Sequence, residues 1–301
     1  KMRKLVTLVC PHQVPENFKF LKGAEKIMTI DFSSFDPAPV PTQSERYRAC
    51  FSSYDLFLIV DSGSYDIVTG RKEIRLPEIK KIVIDHHKTN NFTDVNIRLL
   101  DKKASATAEI VYQLFSDWDL NIDENIATSL FSGIAGDTVF FKYSQNTKLT
   151  FKIISDLLNK GAKKDQLIDQ VFDSFDFNLV KMIGECLRKM EKGSSPAGEF
   201  IYSIMDYKTY DKYGKQKGVR ELIADLFARS IKGYNFGFIV LEEEKGKFSI
   251  SFRSKKNTDV SVIAKKLGGG GHKNASGATI YGNIDQVIKK IIFSTSRSEI
   301  S

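Results

Sequence analysis

IVIDHHKTN, residues 82–90, decides how the rest of this chain reads. Its opening residues belong to KIVI (81–84), a short apolar run of the kind that makes a buried strand. The run stops at three polar residues, Asp85, His86 and His87. In open α/β sheets, ligands bind outside the carboxyl ends of the strands. Three short polar side chains placed there can aim at one point. Imidazole suits manganese, iron or zinc, and a neighbouring carboxylate can fix the ring's tautomer. The competing reading is a polar strand-to-loop cap.

Upstream, LVTLVC (5–10) and LFLIV (56–60) read as further buried strands. Downstream, residues 105–118 place Ile110, Val111, Leu114, Phe115 and Trp118 at helical spacing. A second helix near 147–160 carries Phe151, Ile154, Leu157 and Leu158 on one face. Strands alternating with helices predict an α/β fold with a mainly parallel sheet. Residues 178–192 read as one helix, and KGSSPAG (192–198) as a break. Beyond it, 199–205, 236–243 and 248–254 read as strands, with Gly246 turning two of them into a hairpin. Residues 219–230, 258–267 and a segment marked by Ile284, Val287, Ile288 and Ile291 read as helices. The predicted organisation is a catalytic domain over 1–177, a linker helix and loop over 178–198, and a smaller α/β domain over 199–301.

The chain has 301 residues, 42% of them hydrophobic and 27% charged, which excludes a disordered chain or a fibre. Cys10, Cys50 and Cys186 form no CxxC pair, so neither a zinc ribbon nor a disulfide framework is expected. They fit small buried hydrophobes in a reducing cytoplasm. No apolar stretch reaches the roughly 20 residues that span a bilayer. The net charge of +8 favours anionic ligands without identifying one.

Asp61 ends the LFLIV run, ahead of the permissive Gly63, and reads as a rim carboxylate or a turn cap. Asp137 follows the small-residue segment of LFSGIAGDTVFF, where a carboxylate is costly to bury unless paired or metal-bound. In KKLGGGGHKNASGATI (265–280), four glycines precede His272 inside a domain. Bare backbone such as Gly270 and Gly271 can approach a phosphate closely. His272 could add a contact, and Arg253 could supply a guanidinium fork. A plain turn is the alternative.

Asp61 in IVDSG, Asp85-His86-His87, Asp137 in AGDTVFF and the Gly268–His272 run follow the motif order of the DHH phosphoesterases. The chain resembles the branch with a DHH-associated C-terminal domain, the oligoribonuclease and pAp phosphatase group. That resemblance implies two divalent cations, usually manganese with magnesium as an option, and phosphate-ester hydrolysis by an activated water. It implies Asp61, His86 and Asp137 as metal ligands, Asp85 orienting His86, and His87 facing the phosphate or leaving oxygen. Arg253, Gly270, Gly271 and His272 would hold substrate from the second domain. Implied partners are short RNA or DNA oligonucleotides, pAp or dinucleotides; a homodimer is allowed for.

One motif departs. The family's N-terminal HxxPDGDxxGS is matched only by HQVPENF (12–18), which keeps His12 and Pro15 but has Glu16, Asn17 and Phe18. Either the motif is degenerate, or the sequence lacks an upstream segment, the expectation preferred here. The alternatives are a phosphodiesterase of linear or cyclic dinucleotides, a nucleotide-binding pseudoenzyme, and a general single-stranded nucleic-acid binder. The last needs clustered basic and aromatic surface residues, which the pattern lacks.

Overall fold

The computed structural model describes residues 4–30, 54–70, 79–87, 89–142, 146–171, 173–195, 197–216, 218–228, 230–255 and 258–295. Cys50 lies outside them. The chain folds as two compact units, residues 1–174 and 175–301.

In the first unit, β1 (Leu8–Cys10) pairs in parallel with β2 (Ile27–Thr29). A separate parallel sheet runs β3 (Leu56–Val60), β4 (Lys80–Asp85), β5 (Ile97–Leu100), in that order. Period two along β4 sends Val83 to one face and Ile82 and Ile84 to the other. Val83 packs with Ile59, Phe92 and residues of the short helix α1 (Tyr65–Thr69). Ile84 packs with Ile110 and Leu114 of α2 (Thr107–Asp117). This two-sided burial explains why β4 reads as an unbroken apolar run, whereas β3 buries Ile59 and exposes Leu56, Leu58 and Val60. Helices α3 (Glu124–Asp137), α4 (Lys148–Asn159) and α5 (Lys164–Val171) form a core with α2 around Phe131, Ile134 and Leu157. Thr147 and Thr150 make a capping box that starts α4.

The second unit holds a six-stranded sheet in the order β10-β11-β9-β8-β7-β6. Its strands are β6 (Glu191–Ser195), β7 (Gly198–Met205), β8 (Phe236–Glu244), β9 (Lys247–Ser254), β10 (Gly270–His272) and β11 (Ala275–Tyr281). Only β7 and β8 pair in parallel; the other pairs are antiparallel. One face carries Phe200, Phe236, Phe238, Phe248 and Phe252, covered by α9 (Val260–Lys266) and α10 (Ile284–Ser294). The other packs against α6 (Phe177–Arg188), α7 (Tyr207–Lys212), α8 (Val219–Ile223) and a π-helical turn over Ala224–Ala228. The helix expected over 219–230 is thus split by that turn. These phenylalanines line a core, where they cannot stack on nucleobases.

The expected linker over 178–198 is not a linker. Helix α6 buries Met182 and Cys186 in the second unit's core, and the Gly-Ser stretch is strand β6. Gly193 serves packing here. A Cβ on it would lie 2.3 Å from the ring of Phe200, its cross-strand partner.

Asp206 anchors α7 by accepting the Thr209 amide at 2.7 Å, and it also takes Lys189 Nζ at 2.7 Å. Burial pushes its carboxyl upward, but the bonds from Lys189 and Thr209 prevail and hold it at about 2. A depressed carboxyl stabilises above its unfolded value of about 3.9 and loses that contribution as pH falls through the folded value. Asp206→Ala should therefore cost about 1 kcal/mol at pH 7. Urea titrations should show the gap from wild type narrowing between about pH 4 and pH 2.

Candidate active site

Asp61 is the first residue beyond β3. Its φ of +58° is left-handed, a region that aspartate tolerates better than most residues. Its amide still bonds Ile84 O of β4 at 3.0 Å, so the turn stays tied to the sheet. Its Oδ1 accepts from Thr107 Oγ1 at 2.7 Å, at the start of α2. Gly63 is required nearby, because a Cβ there would lie 2.6 Å from Thr89 O.

His86 follows the end of β4. Its Nδ1 lies 3.3 Å from Ala104 O, and a carbonyl can only accept, so Nδ1 carries the proton. Its Nε2 lies 3.7 Å from Asp61 Oδ1 and 3.4 Å from Asp137 Oδ2. Asp137 is the last residue of α3, the end of a helix, where sequence had suggested only a small-residue segment. Beyond it Val139, Phe140 and Phe141 all have positive φ, from 47° to 65°. Such geometry is strained for side-chain-bearing residues. Buried Thr138 pins this turn: its hydroxyl donates to Ile134 O at 2.7 Å and accepts from the Phe141 amide at 3.1 Å.

Asp85 corrects an expectation. It was expected to orient His86, yet its carboxylate holds His87: Oδ1 lies 2.6 Å from His87 Nδ1, while Oδ2 takes Asn90 Nδ2 at 3.0 Å. The reason is alternation along the strand. Asp85 points into the interior, where it is fully buried, and only the residue two positions on shares its side. His86 receives just a backbone anchor from Asp85, at 2.9 Å. Desolvation would raise the Asp85 carboxyl, but the bonds from His87 and Asn90 outweigh it and lower its pKa. For His87, burial works downward and is overcome by the bond and charge of Asp85, with Asp61 and Asp137 behind, so its pKa is raised. Burial and the charge of Asp61 push the Asp137 carboxyl up to about 6, against the pull of His86 and His87.

The donor atoms of Asp61, His86 and His87 lie within 4.8 Å of one another, and Asp137 closes on the same imidazole nitrogen. A lone pair on Nε2 facing two carboxylates repels both unless a proton or a cation lies among them. Mixed carboxylate and imidazole donors suit a divalent first-row metal. The residues therefore fit a cation, with Asp61, His86 and Asp137 able to hold it and His87 within reach.

Sequence reading missed several supports. Thr107 fixes Asp61, and Asn90 fixes Asp85. Buried Ser105 and Glu109, bonded to each other, brace the loop that presents Ala104 O. Asn90 closes the quoted stretch itself, five residues after Asp85, but side-chain amides are common in loops and gave no distinct signal. His12 is exposed beside Gly70, and Glu16–Phe18 form a 3₁₀ turn from which Phe18 packs into the core. Among the described residues this segment gives the cluster no ligand.

In the second unit, register sets a separate row. His272 pairs with Ala275, Ala275 with Arg253, and Arg253 with Gly237. Directly paired residues share a face, so Arg253 and His272 stand on one face with only Ala275 between them. In the adjacent row Gly270 pairs with Gly277 and Gly277 with Ser251, leaving a floor almost without side chains. A Cβ on Gly271 would lie 2.6 Å from Ser276 Cα, so Gly271 serves strand pairing, whereas a Cβ on Gly270 meets nothing within 4 Å.

A parallel sheet thus ends in a carboxylate-imidazole cluster whose donors fit a divalent cation, and a separate mixed-sheet unit follows it. The N-terminal domain of the DHH family matches residues 4–134, and the DHHA1 domain matches residues 198–293. The chain belongs to the DHH family of phosphoesterases, in the form carrying a C-terminal DHHA1 domain. It is 27% identical over 233 residues to the bifunctional oligoribonuclease and PAP phosphatase NrnA of Bacillus subtilis (strain 168), covering 75% of this chain and 70% of that protein. It is 30% identical over 226 residues to the "Probable bifunctional oligoribonuclease and PAP phosphatase NrnA" of Streptococcus mutans serotype c, with the same two coverages. The crystal structure of an exopolyphosphatase-related protein from Bacteroides fragilis shares the fold, with TM-score 0.83 at 24% identity over 97% of this chain and 83% of that one. Among the described residues, no helix is long and apolar enough to cross a membrane.

Proposed function

We propose that this chain is a manganese-dependent phosphoesterase acting on short oligoribonucleotides and on 3′-phosphoadenosine 5′-phosphate (pAp). The observation that carries the reading is the convergence of Asp61 and Asp137 on His86 Nε2, at 3.7 and 3.4 Å. Asp61, His86 and Asp137 would hold the cation, which would lower the pKa of a water and neutralise phosphoryl charge. Asp85 fixes His87 through Nδ1 and favours its protonated form, so His87 holds a proton at Nε2 for the phosphate or the leaving oxygen. Arg253, Gly270 and His272 offer the substrate's phosphate a guanidinium, bare backbone and an imidazole. The names of the Bacillus and Streptococcus relatives support this substrate class. Free Cys10 and Cys186 suit the cytoplasm as its compartment.

The test is a panel of pAp, short oligoribonucleotides and linear and cyclic dinucleotides, each with manganese and with magnesium. Turnover of pAp and of RNA dimers or trimers is expected. A panel in which both stay intact while another phosphoester is cleaved overturns the assignment.

A second reading, a nucleotide-binding pseudoenzyme, is favoured by the silence of residues 12–18 at the cluster. Manganese titration separates the two. Tight binding of at least one ion per chain supports the enzyme, a second tightly bound ion would mean ligands beyond Asp61, His86 and Asp137, and failure to bind any ion supports the pseudoenzyme.

A further inference from the structure

Arg253 is already engaged. Its Nε donates to Asp225 Oδ1 at 2.5 Å and its Nη2 to Asp225 Oδ2 at 3.0 Å, a two-point pair on one edge of the guanidinium. Its Nη1 donates to Phe252 O at 3.0 Å. A guanidinium has five N–H groups. Three are used among the described residues, which leaves two, one on each terminal nitrogen. The side chain is only 11% exposed, so the fork is held in place.

The fold makes this arrangement deliberately. Asp225 sits in the π-helical turn, an insertion that often marks functional sites. That turn can lie on the sheet because Gly237, the cross-strand neighbour of Arg253, has no side chain. A Cβ there would be 2.3 Å from Ala228 O.

We propose that Asp225 is the positioning residue for phosphate recognition in the second unit. It holds one edge of Arg253 so that the remaining N–H pair is offered on the face shared with Ala275, Gly277 and His272. Selectivity for nucleotides bearing a terminal phosphate follows from that pre-orientation. The inference rests on the reading that this strip takes the substrate's phosphate. A fork fixed in advance loses less freedom on binding than a free arginine. A carboxylate that instead competed with phosphate for Arg253 would act in the opposite direction, because its removal would tighten binding.

The test is calorimetric titration of the whole chain with pAp and, separately, with adenosine. The proteins are wild type, Asp225→Ala, Asp225→Asn, Arg253→Ala and the double variant Asp225→Ala/Arg253→Ala. Asp225→Ala should weaken pAp roughly 10-fold and leave adenosine unchanged. Asp225→Asn keeps one acceptor for Nε–H and should restore part of the loss. It also carries the test should the alanine variant melt early. In the Arg253→Ala background, removing Asp225 should have no further effect. If Arg253→Ala weakens pAp while both Asp225 variants bind it as tightly as wild type or tighter, the inference fails and the phosphate strip stands. If Arg253→Ala leaves pAp affinity unchanged, the strip itself fails and takes the inference with it. Equal losses for pAp and adenosine in the Asp225 variants would mean a merely structural role, which also overturns it.

Discussion

His86→Ala removes turnover. The imidazole supplies the one nitrogen on which both carboxylates converge, and its Nδ1 contact with Ala104 O fixes the ring for that role. Alanine leaves Asp61 and Asp137 facing each other without it. Burial and, behind it, the charge of Asp61 already lift the Asp137 carboxyl, and the repulsion between the two carboxylates then rises. A bound cation contributes several kcal/mol of charge stabilisation in phosphoryl chemistry. At 1.36 kcal/mol per decade, losing about 4 kcal/mol lowers kcat by on the order of 10³-fold. Steady-state kinetics on pAp at saturating manganese reads this, with thermal melting as the control for folding. His86 is partly buried but outside the main core, so the melting temperature should move by only a few degrees. An unimpaired His86→Ala enzyme would mean that the chemistry lies elsewhere.

What sequence made legible follows from how each signal is encoded. Strands β3 and β4 stand out as unbroken apolar runs with abrupt polar ends, although only β4 is buried on both faces and β3 exposes Leu56, Leu58 and Val60. Asp61, His86 and His87 were readable for that reason. Asp137 was readable as a carboxylate but not as the end of α3. The helix's small residues (Ala127, Gly133, Ala135, Gly136) blunt the usual apolar stripe; at Gly133 the reason is close packing, since a Cβ there would lie only 2.9 Å from Ala108. The Gly-Ser stretch misled, because glycine at 193 answers to the Phe200 ring across a strand pair, a contact no local pattern encodes. Asp225 was invisible for the same reason. It lies 28 residues from Arg253, and only the packing of the π-helical turn on the sheet at Gly237 brings them together. The partner of Asp85 was misjudged because the family resemblance assigned it to His86, while the alternation of side chains selected His87.

That last correction yields a sharper experiment than removing a ligand. Asp85→Asn keeps the shape of a fully buried side chain. Its remaining oxygen can still accept from His87 Nδ1 and the His86 amide, as Asp85 Oδ1 does now. The new amide nitrogen would face Asn90 Nδ2, donor against donor. Asn90, however, has a buried Oδ1 with no partner among the described residues, so turning its amide restores this bond at the expense of a long one to Ser62 O at 3.4 Å, and the fold should lose no more than about 1 kcal/mol. What disappears is the negative charge behind His87. Loss of such a partner lowers activity by roughly 10–100-fold. Because His86 is fixed by Ala104 rather than by the Asp85 side chain, manganese affinity should change less than about 3-fold while kcat falls. Parallel manganese titration and turnover measurements decide the matter. A loss of metal affinity as large as the loss of kcat would make His87 a ligand, since its donor atom lies within the same 4.8 Å cluster as those of Asp61 and His86. The proton-holding role would then have to pass to another group.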